Sequence, residues 1–168
     1  MINVKKTELE GVLVIDPPTN FNDFRGSYVE TYNKRLYKKH GITQNFIQDD
    51  ISTSKYNVLR GIHGDSSTYK LVSCLYGEFY LVVVNNDPTS KQFKKWLSFN
   101  LSDANRKQVL IPPKYGNGHL VLSNLTIYHY KQTTEYNREG QFTIMWNDPQ
   151  YNIQWPTLNP ILSKRDGG

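Results

Sequence analysis

Apolar and polar positions alternate with a period close to two along most of the chain, and scarcely anywhere with the period of a helix. Gly11-Val12-Leu13-Val14-Ile15 reads as a first strand, stopped by Asp16-Pro17-Pro18. Phe21 to Glu30 reads as a turn followed by a strand with Tyr28 and Glu30 on one face. Asn33 to His40 is the best helix candidate, short and basic, with Gly41 as its closing residue. Asn45 to Ser52 alternates as a strand that aims Gln48 and Asp50 to the same side. Lys70 to Cys74 and Gly77 to Val84 predict a hairpin broken at Tyr76-Gly77. Further strands are predicted over Trp96–Leu101, Gln108–Ile111, Leu120–Leu122 and Thr126–Lys131. Asn85–Ser90 and Pro112–His119, rich in turn formers, read as loops between them. Many short strands with glycine turns predict an all-β sandwich or jelly roll.

Composition narrows this picture. A chain of 168 residues is most simply one domain, over 1–168, with a core of its own. Apolar residues make up 38% and tyrosines number 12, which excludes disorder and favours half-buried strands. The net charge of +5 is spread along the chain without a basic stripe interleaved with aromatics. This argues for a phosphate-bearing small molecule over nucleic acid as the partner. One cysteine, Cys74, leaves no disulfide framework. The first residues lack the apolar run of a signal peptide, and no segment reaches membrane-spanning length. A cytoplasmic protein with no membrane partner is the expectation.

The chemistry concentrates between Val58 and Lys70. There Arg60, His63 and Lys70 lie close in sequence, with Gly61 and Gly64 between them to let backbone approach a ligand. A guanidinium, an imidazole that titrates near neutrality and an ammonium suit an anionic ligand and a proton transfer.

Nine short pieces, in order, then carry a resemblance. They are Phe21-Asn22-Asp23-Phe24-Arg25-Gly26, Phe46-Ile47-Gln48-Asp49-Asp50-Ile51-Ser52, Val58-Leu59-Arg60-Gly61-Ile62-His63 and Lys70-Leu71-Val72. After these come Leu101-Ser102, Ile111-Pro112-Pro113, Tyr130-Lys131, Trp146-Asn147-Asp148-Pro149 and Leu162-Ser163-Lys164-Arg165-Asp166. The set resembles the dTDP-4-dehydrorhamnose 3,5-epimerase family over nearly the whole chain.

The resemblance implies a cupin jelly roll (double-stranded β-helix) with few short helices. It implies an isomerase that inverts C3, C5 or both in a nucleotide-diphospho-4-keto-6-deoxy sugar for bacterial surface polysaccharides. By it, His63 is the base, Asp166 its carboxylate partner, Tyr130 the acid on the opposite face and Lys70 the stabiliser of the enolate oxygen. Arg60 and Arg25 would hold the diphosphate or the sugar. The family's early segment crosses to a partner subunit, so in a homodimer Arg25, Glu30 and Gln48 would complete the neighbour's site. No cofactor or metal is implied, and the His-x-His spacing of metal-binding cupins is absent after Arg60-Gly61. His40 and His129 read as structural.

The chain also departs from the family pattern. Asn117-Gly118-His119 stands where His-Gly-Phe is usual, the segment between His63 and Lys70 is shorter, and Asp65 replaces a common glutamine. Asn117 and His119 are therefore counted among the substrate-binding residues. These changes leave open a dTDP-hexose or a GDP-heptose as substrate. A ketoisomerase ranks lower because its second histidine, two residues after the first, is Asp65 here. A sugar-binding cupin without catalysis ranks lower because His63, Tyr130 and Asp166 are all present.

Overall fold

The computed structural model describes residues 1–17 and 19–167, so Pro18 of the predicted strand stop lies outside them. The elements begin with β1 (Asn3–Lys6), β2 (Leu13–Asp16), β3 (Thr19–Asp23), β4 (Gly26–Glu30) and α1 (Lys34–Lys39). They continue with β5 (Gln48–Lys55), β6 (Leu59–Gly64), β7 (Lys70–Tyr76), β8 (Glu78–Asn85) and β9 (Trp96–Ser102). The remainder are β10 (Gln108–Ile111), β11 (Tyr115–Val121), β12 (Leu125–Gln132), β13 (Phe142–Thr143) and α2 (Lys164–Gly167).

Two antiparallel sheets hold most of these strands. One has 6 strands in the order β1-β2-β10-β7-β12-β5, and the other has 5 in the order β13-β6-β11-β8-β9. The core between them draws Val72, Cys74, Val109 and Tyr128 from the first sheet and Phe79, Leu81, Val83 and Leu101 from the second. This is the jelly roll that the strand pattern predicts. The first sheet's outer face is covered by α1, where Tyr37 packs with Ile15, Leu71 and Leu110. The second sheet's outer face, at Val82 and Val84, is covered by the C-terminal third through Ile144, Tyr151, Ile153 and Trp155. Burial on both faces explains the uninterrupted apolar run in β8, where alternation fails.

The helix forms where its signals stand. The Asn33 side chain accepts from the Leu36 N–H, Lys38 and Lys39 occupy the last turn, and Gly41 takes φ +87° just beyond.

Two strand expectations are corrected. β7 and β8 do not pair as a hairpin: β7 lies between β10 and β12, and β8 between β11 and β9. Only Gly77 separates them, and a tight hairpin needs two linking residues. Gly77, at φ +78° with its N–H bonded to the Asp103 carboxylate, instead turns the chain from one sheet to the other. The second correction concerns Pro112–His119, which is a loop only as far as Lys114; β11 starts at Tyr115. Its glycines permit close packing rather than turning. A Cβ on Gly116 would sit 2.7 Å from the Ile62 side chain, and one on Gly118 3.0 Å from the Arg60 carbonyl oxygen.

That close approach shapes the site. Asn117 pairs with His63 and His119 with Arg60, so β6 carries one more residue than β11 over this stretch. Such a bulge breaks the alternation and turns Arg60 and His63 to the same face. Gly61 lies inside it at φ +109°, where a Cβ would stand 2.6 Å from both the Asn117 carbonyl oxygen and the Gly118 Cα. We expect Gly61→Ala to destabilise the protein by at least about 1–3 kcal/mol from backbone strain alone, read as a lower urea midpoint. An unchanged midpoint would contradict the close packing of β6 on β11.

Candidate active site

The two sheets part at one end of the core to leave a cavity of about 340 Å³. The five-stranded sheet supplies Arg60 and His63 from β6 and Asn117 and His119 from β11. The six-stranded sheet supplies Lys70 from β7 and Tyr128 and Tyr130 from β12. Asp166 comes from α2, which docks beside β6 at the end of the chain.

His63 Nε2 lies 2.7 Å from Asp166 Oδ1. The carboxylate accepts, so Nε2 carries the hydrogen and Nδ1 is left with the lone pair. Ser163 Oγ donates to the other carboxylate oxygen at 3.1 Å. Burial works to raise the Asp166 pKa, but the hydrogen bond and charge of His63, with help from Ser163 and the Gly61 backbone, outweigh it and hold the carboxyl below its ordinary range. A fixed anion there orients the ring.

Lys70 is buried and forms no ion pair among the described residues; its ammonium reaches Asn117 Oδ1 at 3.5 Å. Burial, then the nearby Arg165 charge, depresses its pKa against the opposing pull of Asp65. The ammonium, paired with no carboxylate among the described residues, faces the cavity. Asn117 also donates through Nδ2 to the Tyr128 hydroxyl at 3.0 Å, which fixes which way its amide faces. Arg60 donates its Nε–H to Ser54 Oγ at 2.9 Å, and among the described residues its two terminal nitrogens have no hydrogen-bond partner.

Opposite the histidine stands Tyr130, whose pKa is pushed well above the ordinary phenol range, first by burial and then by the Asp50 carboxylate. It is thus a phenol, able to give a proton and held in that form. His119 is buried and stacks on Tyr128 with ring centroids 4.1 Å apart, and burial drives its pKa down to about 3. It is a neutral wall of the cavity and unsuited to act as the acid.

Of the sequence-predicted site residues, the structure thus brings together His63, Tyr130, Asp166, Lys70, Arg60, Asn117 and His119. It does not bring Arg25, Glu30 or Gln48 to this cavity within one chain. Arg25 sits on the β3–β4 ribbon, a separate two-stranded unit, and bonds Asp23. Glu30 ends that ribbon. Gln48 lies on β5 and bonds Asp50 and the Tyr136 N–H. Asp65 closes a local turn by accepting from the Ser67 and Thr68 N–H groups and does not line the cavity.

The sequence reasoning missed Tyr128, Tyr136, Arg138, Gln141, Ser163 and Arg165, all of which line it. Tyr128 was open to inference, being two residues before Tyr130 on the same face. Arg138 and Gln141 lie in an irregular segment without periodicity and gave no signal. Among the described residues no cluster of three or more His, Cys, Asp or Glu is placed to hold a metal ion. Among the same residues no helix is long and apolar enough to cross a membrane.

The family model described as dTDP-4-dehydrorhamnose 3,5-epimerase matches residues 6–168. The chain belongs to this family. Among its relatives, the dTDP-4-dehydrorhamnose 3,5-epimerase of Escherichia coli (strain K12) is 39% identical over 170 residues, covering 98% of this chain and 91% of that protein. The enzyme of the same name from Shigella flexneri is 38% identical over 169 residues, covering 98% and 93%. A crystal structure of the dTDP-6-deoxy-D-glucose-3,5-epimerase of Legionella pneumophila, in complex with dTDP-4-keto-L-rhamnose, superposes with a TM-score of 0.93. It is 36% identical, and the match covers 99% of this chain and 90% of that one. The Bacillus anthracis dTDP-4-dehydrorhamnose 3,5-epimerase, solved with TDP and PPi bound, superposes with a TM-score of 0.94 at 32% identity over 99% and 97%. Membership in this epimerase family makes the chain an isomerase with the cupin architecture inferred from its motifs.

The buried histidine gives this epimerase a pH signature. Unfolded, the imidazole titrates near 6.5; folded, His119 titrates at about 3. Between these values the unfolded chain binds a proton that the folded chain refuses, so the stability is whole above pH 6.5 and is lost as pH falls toward 3. His119→Phe keeps a ring against Tyr128 and removes the titration. Urea unfolding at about pH 7 and about pH 4.5 should show the variant losing less stability, by about 2 kcal/mol. Equal losses in the two proteins would refute the neutral buried histidine.

Proposed function

We propose that the chain inverts C3 and C5 of a dTDP-linked 4-keto-6-deoxy sugar, with His63 as base and Tyr130 as acid. The observation that carries this reading is one cavity with the His63–Asp166 pair on one sheet's side, Tyr130 on the other's and the Lys70 ammonium alongside. The relatives' names and the bound nucleotide sugar in the Legionella structure support a dTDP sugar over the GDP-heptose alternative.

The steps follow from these positions. His63 Nδ1 takes the proton from a carbon next to the 4-keto group, and the electron pair moves into the carbonyl to give an enolate. The Lys70 ammonium meets the oxygen on which charge develops. Asp166 stabilises the imidazolium. Tyr130 returns a proton to the same carbon from the opposite face, which inverts it; one base acting alone would restore the original configuration. C3 and C5 both flank the carbonyl, so the same groups serve each in turn. Arg60, with Arg138 and Arg165 around the cavity, meets the diphosphate. A ketoisomerase has less support, since Asp65 is committed to its own turn.

A homodimer in the cytoplasm completes this reading. The β3–β4 ribbon exposes Phe21, Phe24 and Tyr28, with Phe24 98% exposed. Such an aromatic ribbon suits a second copy of the chain, to whose cavity it would bring Arg25 and Glu30.

Two experiments test these assignments. General acid–base groups are worth about 10²–10⁴-fold in rate. His63→Asn should lose turnover by that order, together with deuterium uptake from heavy water. Tyr130→Phe should lose epimerisation by a similar factor while still exchanging deuterium with retention; wild-type epimerisation by Tyr130→Phe would remove it from the mechanism. For the shared site, Arg25→Ala and His63→Ala chains mixed under conditions of subunit exchange should recover activity through hybrid dimers with one intact cavity. Exchange without recovery would show that the ribbon does not serve the partner.

A further inference from the structure

The cavity is strongly cationic. Arg60, Lys70, Arg138 and Arg165 all line it, and the Lys70 ammonium lies 5.8 Å from the centroid of the Tyr130 ring. Positive charge at that range pulls a phenol toward tyrosinate, and a tyrosinate has no proton to deliver. Burial opposes this pull, and a carboxylate close to the phenol oxygen adds to that opposition.

The neighbouring strand holds the opposing group. Tyr130 pairs with Asp50 across β12 and β5, and directly opposite residues share a face of the sheet. Next along this face, Gln132 pairs with Gln48. Both glutamines turn onto the aspartate: Gln48 Nε2 donates to Asp50 Oδ2 at 2.9 Å, and Gln132 Nε2 donates to the same oxygen at 2.8 Å. Gln132 is itself buried, and Gln48 is held by the Tyr136 N–H on its Oε1 at 3.0 Å. The carboxylate is thereby pinned by neutral donors, which fix its place without cancelling its charge. Its second oxygen receives neither amide. Among the described residues Asp50 forms no ion pair, whereas its sequence neighbour Asp49 bonds Lys131 and His129 on the opposite face of the sheet.

We propose that Asp50 is a positioning residue for Tyr130: its pinned carboxylate keeps the phenol protonated inside a cationic cavity, so that a proton stands ready for delivery. The other groups facing Tyr130 are Lys70 on β7, Tyr128 on its own strand, Tyr136 on the segment that follows, and Arg60 with the His63–Asp166 pair across the cavity. Only Asp50 is an anion on the tyrosine's own side. Its influence matches the direction in which the phenol is displaced, where it ranks next after burial. The inference rests on the reading of Tyr130 as the proton donor. It adds the residue that keeps the donor loaded.

The test is a difference titration. Tyrosinate absorbance is followed against pH in wild type, Tyr130→Phe, Asp50→Asn and Asp50→Asn/Tyr130→Phe. Subtracting each Phe variant from its parent isolates one phenol. Asp50→Asn keeps the shape and an oxygen for the glutamine amides, and Tyr130 should then ionise at least about 1 pH unit lower. The alkaline loss of kcat/KM should move the same way, and Asp50→Glu, which keeps the charge, should leave it in place. If Asp50→Asn does not fold, Asp50→Ser is read in the same titration. An unmoved difference curve, or a rate loss by one factor at every pH, would reduce Asp50 to a structural role. Slow epimerisation by Tyr130→Phe beside an unmoved curve would overturn this inference alone. Full activity of Tyr130→Phe would overturn the reading beneath it.

Discussion

The pairing of β6 against β11, one residue longer on one side, is the constraint on which the site depends. An ordinary strand would send Arg60 and His63 to opposite faces, one into the cavity and one into the outer cluster around Ile62 and Ile144. The bulge puts both inside while Ile62 remains outside, and Gly61, Gly116 and Gly118 make the approach possible. The glycine-rich segment around His63 is therefore where backbone meets backbone, and the placing of Arg60 and His63 in the cavity follows from that packing.

Electrostatics within this frame divides labour between the sheets. The five-stranded sheet holds His63, whose partner is the buried Asp166 carboxylate on α2. The six-stranded sheet holds Tyr130, with Asp50 opposite it on β5. The ammonium of Lys70 lies among them with no carboxylate of its own. Each carboxylate thus stands beside one polar ring of the cavity, Asp166 beside the His63 imidazole and Asp50 beside the Tyr130 phenol, and the two rings face the cavity from different sheets.

Much of this was legible in the residues. The strand-rich class followed from alternation, and the helix from Asn33, two lysines and Gly41. His63, Arg60 and Lys70 stood out by proximity in sequence, whereas Tyr130 and Asp166 needed the family resemblance, since neither sits in a local pattern that marks it. What stayed hidden was three-dimensional in origin. The β7–β8 connection looked like a hairpin because a turn between apolar runs cannot reveal that the two runs enter different sheets. Pro112–His119 looked like a loop because glycine marks turns and close packing alike. Arg138 and Gln141 reach the cavity from an irregular segment.

The length of chain between the two halves of the dyad also sets an order of events during synthesis. His63 and Asp166 are separated by 103 positions, and the terminal segment joins β6 through backbone bonds between Ile161 and both Asn57 and Leu59. A nascent chain emerging from the ribosome can therefore present the imidazole long before the carboxylate that orients it exists. The imidazole acquires its partner only once the segment carrying Asp166 has been made and has docked beside β6. Loss or nicking of the segment around Asp166 would leave the two sheets assembled but the His63 ring without its carboxylate, so the orientation of that ring reports on whether this late segment has docked.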